Sequence, residues 1–242
     1  MNKVFDKVVG YADFNKVDEP ALKRKAEIIH DIVLPHLEKN PPENILVAGC
    51  GEGSEAVLLH NTFGSFTVGI DKGLTESSKS ENGKVELHPG DISNLEHKDA
   101  SFDFIYSYHV LEHVEDPDAV LREMRRVITA NGAFFVGFPN KNRMVAYVGT
   151  HTGETTWDKI RWNLNDYKDR FIGRFENKYG AHAGFAQKPF MKHAAQYFNT
   201  VIPVRNEYMV AKYSKYASAI QLMIRTGFSE LIFPSNYFIL KP

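Results

Sequence analysis

The sequence of 242 residues is poor in the things that would tie it to an oxidising compartment or a bilayer. It holds one cysteine, Cys50, which excludes an internal disulfide and a cysteine-rich zinc site, and with them the small secreted scaffold. No apolar run approaches the roughly 18 residues that a membrane span needs. Met1 to Gly10 mixes Lys3, Asp6 and Lys7 among its apolar residues and does not read as a signal peptide. Net charge is nearly absent as well, with 29 Lys+Arg against 30 Asp+Glu. Internal repeats, low-complexity tracts and linkers are missing too, so no second domain is marked out. What remains, at 43% hydrophobic and 24% charged, is the composition of an ordinary globular protein, expected to be soluble and cytoplasmic.

The small net charge hides a division. Residues 1–140 carry 14 Lys+Arg and 23 Asp+Glu, whereas residues 141–242 carry 15 and 7. A −9 half therefore precedes a +8 half. Such asymmetry points to an anionic partner for the second half, or to two parts that neutralise each other.

Pro20 to Leu37 places Leu22, Ala26, Ile29, Val33 and Leu37 at helical spacing and stops at Asn40-Pro41-Pro42. Asn44 to Ala48 is a short apolar run that breaks into Gly49-Cys50-Gly51-Glu52-Gly53-Ser54, after which the composition turns helical. Further strands are expected at Phe66–Ile70, Lys84–Leu87, Phe102–Ser107 and Ala133–Phe138, with a helix through Ala119, Leu121, Met124 and Val127 before the last. Strands alternating with helices predict a parallel sheet covered on both faces. After Pro139 some seventy residues intervene before the final strands, longer than a usual connection. Within them Trp157, Ile160, Leu164, Tyr167, Phe171, Phe175 and Tyr179 recur every three or four residues, read here as a packing stripe. The opposite face carries Lys159, Arg161, Lys168, Arg170, Arg174 and Lys178. Thr155 and Asp158 resemble a capping box, and Gly180 a stop. A last helix is expected from Tyr208 to Thr226, and Phe228 to Leu240 reads as a strand pair turning at Pro234-Ser235-Asn236.

Glycines 49, 51 and 53 between a buried strand and a helix let the chain turn sharply and let a ligand lie against the backbone. Asp71, at the end of the second strand, can accept hydrogen bonds from both hydroxyls of a ribose. Together these suggest a nucleoside-bearing cofactor, either NAD or S-adenosylmethionine. Asp91 ends the third strand, where its carboxylate could receive the exocyclic amine of adenine and the Ile92 amide a ring nitrogen. Position 54, where the NAD fingerprint places its third glycine, is serine, which favours the second cofactor.

Val47 to Gly53, Asp71, Gly90-Asp91-Ile92 and Phe102 to Ser107 resemble, in order, the motifs of class I S-adenosylmethionine-dependent methyltransferases. His109-Val110-Leu111-Glu112-His113-Val114-Glu115-Asp116-Pro117 and Asn131-Gly132-Ala133 resemble the ubiquinone-biosynthesis-type branch. The likeness covers residues 40–140, with an echo at Thr226-Gly227-Phe228. It implies a Rossmann-like α/β fold of seven mostly parallel strands with helices on both faces and an inserted helical cap. One domain over 1–242 is then expected: a helical segment 1–40, a cofactor-binding core 41–140, a cap 141–215, and a C-terminal helix and strands in 208–242. By the resemblance Gly49, Gly51 and Gly53 would line the methionine part of S-adenosylmethionine. Asp71 would hold the ribose, Asp91 and Ile92 the adenine, and Tyr108 would flank the sulfonium. Ala48, Lys72 and Ser107 complete the expected cofactor site, and Phe5, Tyr11 and Phe14 could close over it.

His109 to His113 has the form H-x-x-E-H, which invites a metal reading through His109, Glu112 and His113. Relatives that bind a hard divalent ion at this turn begin it with glutamate. The histidine at 109 departs from that pattern, so a scaffold or proton-accepting role for His109 or His113 is preferred and no metal is expected. His182, which follows the amphipathic segment, is a second candidate base, because imidazole titrates near neutral pH. His151 and His193 are weaker candidates. Arg170 and Arg174, with Tyr11 and His182, are expected to meet the acceptor. The expected activity is O-methylation of a small metabolite, with an anionic acceptor favoured. An RNA 2′-O-methyltransferase and an inactive cofactor-binding module are the alternatives, and a nucleic-acid partner is disfavoured. Oligomeric state is not addressed by any of these features.

Overall fold

The structure, a computed structural model, describes residues 19–80, 83–144, 155–172 and 184–242. Phe5, Tyr11, Phe14, His151, Arg174, Phe175, Lys178, Tyr179, Gly180 and His182 lie outside the described residues, as do the side chains of Lys159 and Arg170.

Helix α1 (Glu19–Val33) ends where Pro35 enters and the chain tightens into a 3₁₀ turn. Strand β1 (Asn44–Ala48) leads through the glycine turn into α2 (Ser54–Phe63), followed by β2 (Phe66–Asp71). A two-residue strand β3 (Ser78–Lys79) precedes β4 (Val85–Pro89) and β5 (Phe102–Tyr108). Helix α3 (Pro117–Val127) starts on Asp116, whose side chain accepts from the Ala119 N–H at 3.0 Å, with Pro117 in the first turn. It delivers the chain to β6 (Ile128–Pro139). Beyond lie α4 (Thr156–Phe171), α5 (Gln187–Ala194), β7 (Thr200–Pro203), α6 (Arg205–Lys212), α7 (Ala217–Arg225), α8 (Ser229–Ile232) and β8 (Ser235–Lys241).

The strands form one sheet in the order β3-β4-β2-β1-β5-β6-β8-β7. Strands β4, β2, β1, β5 and β6 run parallel, and β8 lies antiparallel to both β6 and β7. The sheet has eight strands rather than seven; β3 is the short antiparallel addition at one edge. Alternation along β1 sends Ile45 and Val47 into one core and Leu46 and Ala48 into the other. The first core packs under α1, α2 and α6, and the second under α3 and α5.

Three expectations change. The strand pair expected in 228–240 is one helical turn and one strand. Gly227 takes φ +79, the Phe233 N–H closes a turn on the Ser229 carbonyl at 3.0 Å, and the outer partner of β8 is instead β7. The helix expected from Tyr208 to Thr226 is broken at Tyr213, whose φ −110 and ψ 44 end α6 before a 3₁₀ turn opens α7. The stripe on α4 was expected to be packed, yet Trp157, Ile160, Leu164 and Phe171 are exposed, Trp157 by 78%. This helix does carry the expected cap: Thr155 N–H donates to Asp158 Oδ2 at 3.0 Å and Asp158 N–H returns to Thr155 Oγ1 at 3.3 Å.

Phe135 is fully buried between the parallel-stacked rings of Tyr106 and Tyr237, with centroids 5.8 and 6.0 Å away. Phe135→Ala should cost about 3–5 kcal/mol in urea unfolding with an unchanged denaturant slope. A loss below about 1 kcal/mol would mean that the aromatic stack closes over the gap.

Candidate functional site

Strands β1 and β5 are neighbours, but their connections leave in opposite directions. Helix α2 packs its Ala56, Val57 and Leu59 into the first core, and α3 its Val120, Leu121 and Met124 into the second. The carboxyl ends of β1 and β5 therefore bound a crevice, the place where open parallel sheets take their ligands. Ala48 ends β1 and Tyr108 ends β5.

The turn out of β1 is drawn onto β2. Gly49 N–H and Cys50 N–H both donate to the Ile70 carbonyl, at 2.8 and 3.1 Å. Gly49 has φ +79, and a Cβ there would fall 2.2 Å from a Val110 methyl. Gly53 has φ +90, and its Cβ would fall 2.3 Å from Leu87. Around Gly51, in contrast, a Cβ would meet nothing within 4 Å, so this is the open side of the turn. Cys50 is buried, and burial followed by the nearby Asp71 charge pushes its thiol up to about 12. It is a neutral, inert space-filler here.

Asp71 receives the Gly51 N–H on Oδ2 at 2.8 Å and the Gly73 N–H on Oδ1 at 2.7 Å. Each oxygen keeps a second lone pair for a ligand hydroxyl. Asp91 accepts from the Ser93 hydroxyl and N–H on Oδ1, at 2.7 and 2.9 Å, and pairs through Oδ2 with Lys72 at 3.0 Å. Those hydrogen bonds, with Lys72 behind them, hold its carboxyl below the usual range. Ile92 and Ser107 are buried behind the edge. Among the described residues, those expected to meet the cofactor lie at or next to the carboxyl ends of β1, β2, β4 and β5.

Tyr108 is flanked on two sides. His109 meets it edge-on with ring centroids 4.2 Å apart, and the Lys25 ammonium stands 3.4 Å from its ring centroid. Lys25 also pairs with Glu55, and burial lowers its pKa against that partner. This Lys25–Glu55 pair was missed from sequence. The signal was a lysine on the apolar face of α1, three residues after Leu22 and four before Ile29.

The H-x-x-E-H turn separates its members. His109 takes φ +57, unusual for a residue with a side chain, and its N–H donates to the Gly137 carbonyl at 2.8 Å. The Glu112 side chain is 1% exposed, with His109 Nδ1 3.1 Å from its Oε1. His109 Nε2 lies 3.4 Å from the Ser235 hydroxyl. His113 is 66% exposed and stands 4.0 Å from the same Glu112 oxygen. Among the described residues no three His, Cys, Asp or Glu side chains converge as a metal site would need. His193 pairs with Asp118 in the first turn of α3.

Gly49→Ala should destabilise the fold by about 1–3 kcal/mol more than Gly51→Ala, because both strain the backbone but only the first overpacks Val110. Equal losses in denaturant titration would show that Val110 yields freely. Cys50 should resist iodoacetamide at pH 8 in the folded protein and react once denatured; equal rates in mass spectrometry would refute its burial.

Residues 46–136 match the family model of a methyltransferase domain. The chain is similar to norajmaline N-methyltransferase of Rauvolfia serpentina, 34% identical over 95 residues, which are 36% of this chain and 32% of that protein. It is 29% identical over 115 residues to a Mycolicibacterium smegmatis protein named "Probable S-adenosylmethionine-dependent methyltransferase", covering 46% of this chain and 44% of that one. The matches span less than half the length of these curated relatives. In structure the chain is similar to a plantazolicin methyltransferase in complex with S-adenosylhomocysteine, with TM-score 0.55 and 14% identity over 92% of this chain and 85% of that one. At that identity the likeness is one of fold. Glycine turn, strand-end acids, sheet order and matched segment agree: residues 46–136 match a methyltransferase domain and are similar to those of S-adenosylmethionine-dependent methyltransferases.

Proposed function

We propose that the protein transfers the methyl group of S-adenosylmethionine to an oxygen of a small-molecule acceptor, with His109 as the proton acceptor. The residues fit the cofactor. The turn is open only at Gly51, Asp71 retains lone pairs for a ribose, and Asp91 offers a carboxylate on the adenine side. When bound, S-adenosylmethionine supplies a methyl group already activated on a positive sulfur. What the chain must add is alignment, exclusion of water, and removal of the acceptor proton. Alignment alone is worth roughly 7–11 kcal/mol in such displacements.

The observation that carries this reading is the His109–Glu112 pair. The buried Glu112 carboxylate stands 3.1 Å from Nδ1 with both oxygens otherwise without a hydrogen bond among the described residues, so it favours the charged form that the ring takes on when Nε2 accepts a proton. The left-handed backbone at His109 holds that ring against Tyr108 at the end of β5. Proton transfer from an acceptor hydroxyl to Nε2 would leave an imidazolium stabilised by Glu112. Such a base contributes roughly 10²–10⁴-fold. The +8 balance of residues 141–242 supports an acceptor bearing carboxylate or phosphate.

Calorimetry with S-adenosylhomocysteine should show binding that Asp71→Ala weakens at least tenfold; unchanged affinity would move the ribose away from Asp71. An acceptor screen read by release of S-adenosylhomocysteine should then find turnover that persists in EDTA. On that acceptor His109→Ala should lower kcat roughly 10²–10⁴-fold, while cofactor affinity stays the same. Full activity of His109→Ala, or loss of turnover on chelation, would overturn the role given to His109.

A further inference from the structure

Beside the crevice is a cavity of about 430 Å³ between α6, α7 and the Phe233-Pro234 segment. Met209, Tyr213, Ile220 and Met223 are among the residues that line it. It is nearly three times the roughly 150 Å³ that accommodates one benzene in an engineered core, and it falls in the range of ligand sites.

Two of the residues lining the cavity are chain neighbours of residues that lead to His109 and Tyr108. Pro234 precedes Ser235, whose hydroxyl lies 3.4 Å from His109 Nε2. Met209 adjoins Tyr208, which stacks on Tyr237 at 4.0 Å, and Tyr237 stacks in turn on Tyr108 at 6.1 Å. Its floor is held by directed bonds. The Asn140 amide donates to the Phe233 carbonyl at 3.1 Å, and the Arg143 guanidinium donates to the Pro234 carbonyl at 3.2 Å. These bonds fix the Phe233-Pro234 side of the cavity. Among the described residues, every exposed large apolar side chain lies between Met144 and Ile232, and Tyr216 and Ile232 of that set line the cavity itself. Exposed Tyr216 and Ile232 thus give the cavity an apolar rim.

We propose that this cavity takes the apolar body of the methyl acceptor, a ring system or hydrocarbon of about two to three rings in size, placed so that its hydroxyl reaches His109. The assignment of the occupant rests on the methyltransferase reading above. It narrows the acceptor from any small metabolite to one with a hydrophobic body of limited length. The few polar groups at the wall, the Tyr213 hydroxyl and the Arg143 guanidinium, would orient it.

The probes are 4-n-alkylphenols from methyl to octyl, titrated onto the protein in the presence of S-adenosylhomocysteine. Affinity should rise about fourfold per added methylene until the cavity is full and then level off. Ala219→Trp and Met223→Trp, each filling the cavity from α7, should flatten that dependence while S-adenosylhomocysteine affinity, which also reports folding, stays within twofold. A flat series in the unaltered protein, or an undiminished slope in both filled variants, would overturn the proposal. If S-adenosylhomocysteine itself does not bind, the cofactor reading falls, and the same alkylphenol series without it still decides whether the cavity takes an apolar body.

Discussion

The turn from β1 into α2 is packed so closely that the rest of the active edge takes its position from it. Val110 fills the space where Gly49 would carry a side chain, and Leu87 the space beside Gly53. Gly69 on β2 is bare for the same reason, since a Cβ there would lie 2.8 Å from the Cys50 sulfur. Three strand ends are thereby brought to contact distance through one turn. The other end of β1 is equally fixed, because the buried Asp103 carboxylate accepts the Glu43 and Asn44 N–H groups at 3.0 and 3.2 Å. With β1 held at both ends, Asp71 and Tyr108 on its neighbours have little freedom to shift relative to one another.

Much of this was legible because it is local. A strand that breaks into alternating glycines and then turns helical states its geometry within ten residues, and the acids ending β2 and β4 follow from the same rhythm. Alternation cannot show which strand pairs with which. Thr200-Val201-Ile202 is a β-branched run that reads as a strand on inspection. Its place outside β8 depends on the antiparallel insertion of β8 next to β6, a relation between segments about a hundred residues apart. The expected hairpin at 228–240 failed for the same reason, since its apolar residues suit one helical turn as well as a strand.

The site itself was half legible. The H-x-x-E-H pattern identified the group of residues but could not rank its two histidines. That ranking comes from one backbone angle: at φ +57 His109 turns back against Tyr108 and Glu112, while His113 emerges toward solvent. Lys25 was hidden by its own helix, where a lysine among leucines and isoleucines passes for a surface residue until Glu55 and the Tyr108 ring are seen around it. The charge division takes on a second character too. The basic half of the chain also bears, among the described residues, the exposed large apolar side chains, so charge and apolar surface are offered by the same stretch of sequence.

Asp71 is already bonded to Gly51 and Gly73 before any ligand enters. A free aspartate would lose side-chain entropy on clasping a diol, and would reorganise its own water as it did so. Here both losses were met during folding, by amides that stay in place afterwards. Discrimination follows from the same rigidity. A sugar whose two hydroxyls do not match the remaining lone pairs cannot recruit the carboxylate by rotating it, because rotation would strand two backbone donors. In the ribose-holding role proposed for Asp71, the fold would act as a stereochemical gauge for vicinal hydroxyls, with its calibration fixed by two glycine amides.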